Sequence, residues 1–68
     1  MKMQLIKICK DKNEILEELE KSFGKDIAED MLRATERNGM SAYGKYMVRK
    51  VGKDYLLFML NAWEVKAE

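Results

Sequence analysis

Sixty-eight residues allow one small domain with a single modest core. Hydrophobic residues make up 47% and charged residues 37%, with no proline, which excludes a disordered tail, a collagen-like repeat and a membrane-spanning helix. The formal net charge is +1, with one cysteine and no histidine, so a uniformly basic nucleic-acid coat, a Cys/His zinc site and a histidine-based triad are excluded too.

The opening MKMQLIKICK carries lysines through its apolar stretch and has no small-residue cleavage site, unlike a signal peptide. Residues 3–9 read as a strand. Cys9 closes that strand, and the expectation is a small buried apolar residue in a reducing, cytoplasmic setting. Asp11 and Glu14 have the spacing of a capping box. Behind them Ile15, Leu16, Leu19 and Phe23 form the apolar stripe of a first helix, which Gly24 ends. Asp26 and Glu29 repeat the capping spacing, and Ile27, Met31 and Ala34 make a second stripe, ended by Asn38-Gly39. The helices form an αα-hairpin.

The segment MSAYG reads as a loop. Two β-rich runs follow, KYMVRKV and YLLFMLNAW, joined by Gly52-Lys53-Asp54 as a hairpin. The predicted fold is therefore α+β, a single domain over residues 1–68. Its order is β-α-α-β-β, a three-stranded sheet packed on the helix pair, with residues 64–68 as a tail. A three-residue turn keeps Arg49 off the core. Leu56, Phe58, Leu60 and Ala62 are apolar without a break and are assigned to the helix-covered face, with Tyr55, Leu57, Met59, Asn61 and Trp63 on the far side. That turn groups Tyr46 and Val48 with the first set and Lys45, Met47, Arg49 and Val51 with the second; a two-residue Gly52-Lys53 turn reverses this cross-strand grouping. On either register the sheet offers more apolar surface than two short helices can cover. Met47, Leu57, Met59 and Trp63 are thus the candidate interface, with a second copy of the chain as the expected partner and another protein as the alternative.

Charge is uneven. Residues 33–53 hold Arg33, Arg37, Lys45, Arg49, Lys50 and Lys53 against Glu36 alone. Within them Tyr43, Lys45, Tyr46, Arg49, Lys50 and Lys53 combine cations for phosphate with rings for base stacking. The leading functional expectation is a small non-enzymatic regulatory protein that contacts nucleic acid through residues 43–53. The alternative is a protein-interaction module that uses the apolar outer face of the C-terminal hairpin. A groove-reading second helix is disfavoured, because it opens with Asp26, Glu29 and Asp30, which repel phosphate. Glu14, Glu17, Glu18 and Glu20 spread around the exposed half of a helix and form no calcium loop. Gly52-Lys53 lacks the glycine-rich turn of a phosphate loop. No metal, cofactor or catalytic residue is expected.

Overall fold

Asp11 caps the first helix as its spacing to Glu14 predicts. Its carboxylate accepts the Glu14 N–H at 2.9 Å, and the Glu14 carboxylate accepts the Lys10 N–H at 2.8 Å. The computed structural model describes residues 2–61, and helix α1 spans Lys12–Phe23. Gly24 alone separates it from α2, Lys25–Asn38. Its N–H donates to the Glu20 carbonyl at 2.9 Å and its own carbonyl accepts the Ala28 N–H at 3.1 Å. One residue thus closes one helix and opens the next. The second capping box does not form: α2 starts directly after Gly24, so Asp26 already lies in the first turn and no side chain caps it. Its carboxylate there still complements the helix dipole.

The remaining elements are four antiparallel strands, β1 (Lys2–Cys9), β2 (Met40–Tyr43), β3 (Tyr46–Val51) and β4 (Asp54–Asn61), in the order β1-β4-β3-β2. The α+β class holds, but the sheet has four strands where three were expected. The missed strand is β2, the stretch read as a loop. Ser41 and Ala42 have little intrinsic strand preference; pairing with β3 across a Gly44-Lys45 turn makes this segment extended.

Both hairpins use two-residue Gly-Lys turns. Gly44 (φ 60°) and Gly52 (φ 62°) take positive φ while no non-glycine residue among those described does, which is the pattern of a II′ turn with glycine first. Val51 pairs with Asp54 and Val48 with Leu57. This corrects the three-residue turn and reverses the face assignment of β4. Tyr46, Val48 and Lys50 of β3 share the helix-covered face with Tyr55, Leu57 and Met59 of β4. Leu56, Phe58 and Leu60 lie on the opposite face with Met47, Arg49 and Val51.

The core follows from that register. Ile15 and Leu19 of α1 and Ala28 and Met31 of α2 bury against Val48, Tyr55, Leu57 and Cys9, and every one of these is at most 4% exposed. Cys9 occupies the strand-end position expected of it. Thr35 is the buried polar residue of this core. Its hydroxyl and that of Ser41 lie 2.8 Å apart and within 2.8 and 3.0 Å of the Met31 carbonyl. One hydroxyl proton goes to the carbonyl and the other to the neighbouring oxygen, so nothing polar is stranded. This link ties α2 to β2, the short edge strand.

Strand β1 carries a bulge. Leu5 pairs with Phe58 and Lys7 with Leu57, leaving Ile6 as the extra residue. Without Ile6 the strand alternates strictly: Met3, Leu5 and Ile8 on one face, Gln4, Lys7 and Cys9 on the other. The apparent continuous apolar run is an alternating strand with one residue looped out.

Candidate functional site: the open face of the sheet

Six residues were candidates for nucleic-acid contact, and the structure does not gather them. Lys45 and Lys53 lie in turns at opposite ends of β3, separated by roughly 20 Å of strand. Arg49 sits on the helix-free face, whereas its neighbour Lys50 points to the helix side, as adjacent strand residues must. There the Lys50 ammonium donates to Glu36 at 3.1 Å and lies 5.5 Å from the centre of the Tyr55 ring. Tyr43 and Tyr46 turn towards α1, where both rings meet Phe23 edge-on at 5.1 and 5.4 Å. That geometry is the ordinary one for aromatic packing. The local positive charge of the sequence is therefore distributed over two faces and two ends.

The interface candidates divide as well. Met47 is on the helix-free face. Leu57 and Met59 are on the helix side, Leu57 with 4% of its surface exposed. The two-residue turn is the physical reason. Trp63, Ala62 and the tail 64–68 lie outside the described residues. Sequence reasoning passed over Met3, Leu5, Ile8, Leu56, Phe58 and Leu60, and the signal that identifies them is Gly52 at the first central position of a tight turn.

These residues build the most distinctive surface of the molecule. From one edge of the sheet to the other, the register sets Ile8, Leu56, Arg49 and Met40 in one row and Leu5, Phe58, Met47 and Ala42 in the next. Met3 and Leu60 continue it at one end and Val51 at the other. Met3, Leu5, Ile6, Ile8, Met40 and Val51 are each between 44% and 52% exposed. Both helices pack on the other side, so no element of the described chain covers this face. Arg49 is the one cation inside the rows. Asp54, at the margin beside Val51, is 3.5 Å from the Lys10 ammonium.

The polar groups of the helix side serve the fold. Tyr55 donates its hydroxyl to Glu36, and this bond, with Lys50 next, holds the Glu36 carboxyl below its ordinary 4.5. The Glu36 bond raises Lys50 above 10.5, and burial followed by that bond raises Tyr55 above 10.0. The Lys7–Glu18 pair, 2.8 Å long, likewise lowers Glu18 and raises Lys7. Depressed carboxyls stabilise the fold above their unfolded values and lose that contribution as pH falls through the folded ones. Raised Lys and Tyr groups contribute below their unfolded values and lose it as pH rises through theirs. The expected thermal midpoint is flat between about pH 5 and 8 and falls on both sides, the alkaline fall beginning with the buried Cys9 thiol. Glu36→Gln should shrink the acid-side fall, as read by circular dichroism melts; an acid limb of unchanged size refutes the role given to Glu36.

Burial pushes the Cys9 thiol up, away from the thiolate that nucleophilic chemistry requires. A cleft of about 200 Å³ between α2 and β2 is lined by Ile27, Met31, Ala34, Ala42, Tyr43, Ser41 and Asp30. Ser41 is engaged with Thr35 and Met31, and Asp30 bonds Arg33 at 3.0 Å, so its polar groups are already paired. Among the described residues no cluster of three His, Cys, Asp or Glu side chains could hold a metal ion, and no helix is long and apolar enough to cross a membrane. Comparisons with protein-family models, curated proteins and solved structures find no match to this chain.

Proposed function

We propose that this chain is a non-enzymatic protein-interaction module whose working surface is the helix-free face of its sheet, acting in the reducing, cytoplasmic setting that a lone buried Cys9 suits. The observation that carries the reading is the continuous apolar surface from Ile8 and Leu5 across Leu56 and Phe58 to Met47 and Met40, interrupted only by Arg49. Monomeric proteins rarely expose contiguous apolar patches beyond a few hundred Å², and larger ones mark binding surfaces. The division of Arg49 from Lys50, and of Lys45 from Lys53, favours this reading over nucleic-acid contact through residues 43–53.

The test is a labelling experiment. A Leu5→Cys variant places a thiol on the open face, and Glu17→Cys places one on the exposed side of α1; Cys9 stays buried in both. In extract of the protein's own cells the thiol at position 5 should be alkylated at least about tenfold more slowly than in dilute purified protein, because a bound partner covers it. The thiol at position 17 should react equally in both. Equal rates at position 5 would remove the interaction reading.

A further inference from the structure

We infer that the partner seated on the open face is a second copy of this chain, packed sheet against sheet; the inference rests on the reading above and names its occupant. The first argument is area. Strands of eight, eight, six and four residues, spaced about 4.8 Å apart and rising about 3.3 Å per residue, cover a projected area on the order of 400 Å². Two such faces contribute about 800 Å² in projection, and the relief of their side chains carries the accessible area to the roughly 1,000 Å² that a specific interface needs.

The second argument is self-complementarity. A two-fold interface sets one patch against itself, so the patch must carry nothing that its own copy cannot accept. Aliphatic rows and Phe58 satisfy that condition. Asp54 already has Lys10. Arg49 pairs with Met40 of the four-residue edge strand, so its long side chain can lie across β2 and keep its guanidinium in water.

The third argument closes the other route to assembly. Copies could instead join edge to edge, but β1 is broken by the bulge at Ile6 and β2 is only four residues long, and both features make poor templates for strand addition. The face is what remains. A small domain also gains from it, since among the described residues eight hydrophobic ones make up the buried core and small domains often complete theirs by oligomerising.

Sedimentation equilibrium of the purified full chain at about 100 µM tests this. The expected mass is about 16 kDa, twice the 8.0 kDa of one chain. Phe58→Glu and Leu56→Lys should each return it to 8.0 kDa with an unchanged circular dichroism spectrum. Leu5→Glu, at the sheet margin, serves where either central variant misfolds. A wild-type mass of 8.0 kDa overturns the inference, as does a doubled mass that all three substitutions leave intact. If the wild type is monomeric while the Leu5→Cys thiol is protected in extract, a different protein occupies the face, and only the second-copy inference fails. A monomer whose thiol is unprotected defeats both.

Discussion

Truncating Leu57 to alanine should cost about 2–5 kcal/mol, the range for deleting a buried leucine side chain. The same change at adjacent Leu56 should cost about 1 kcal/mol or less when the protein is dilute enough to be monomeric. The difference is large for this molecule: at about 0.05–0.15 kcal/mol per residue, a 68-residue chain has only about 3–10 kcal/mol in all. Leu57 opposes Val48 under both helices, while Leu56 opposes Arg49 on the other side. Urea denaturation of the two variants measures the difference directly. Equal losses, or a larger loss at Leu56, would show that the hairpin register is reversed. A charged residue at position 57 therefore probes folding, and one at 56 or 58 probes assembly.

Gly24→Ala should cost about 1–3 kcal/mol, all of it from the backbone. Gly24 has φ 89° and ψ 170°, a region open essentially to glycine alone. A Cβ built there meets nothing within 4 Å, so crowding adds nothing to the penalty. The residue cannot relax its angles, because its N–H closes α1 and its carbonyl opens α2. Gly39→Asn is the control: φ 87° and ψ −10° there are the left-handed conformation that ends α2, which asparagine adopts with less strain than other non-glycine residues, so its loss should be smaller. Denaturation midpoints that move equally for both substitutions would contradict this account of the corner.

The helices were legible because their signals are local. Asp11, Glu14, Gly24 and Gly39 act within one turn of where they stand, and the apolar spacing of Ile15 and Leu19 needs no knowledge of the rest of the chain. The sheet was legible only in outline. Strand β2 is extended because of its pairing with β3, and Ser41 and Ala42 give little local sign of it. The faces of β4 were misread for a different reason. Leu56, Phe58 and Leu60 are more uniformly apolar than Tyr55, Leu57 and Met59, so hydrophobicity alone points to the wrong interior. The length of the turn decides the matter, and Gly52 was the residue to weigh. Lys50 belonged with Val48 by strand alternation, which sets it apart from Arg49 however close they stand in sequence. What survives from the sequence is the excess of apolar sheet over helical cover; which residues form that excess required the register.

The extra residue in β1 bears on fibrillar aggregation. Deleting Ile6 would leave every other residue of the strand facing as it does now, yet it would straighten the border of the sheet. A straight, oily border is the form of strand from which fibrillar growth proceeds. The kink thus acts as a safeguard: it tolerates a greasy surface on a tiny protein while denying newcomers a place to zip on.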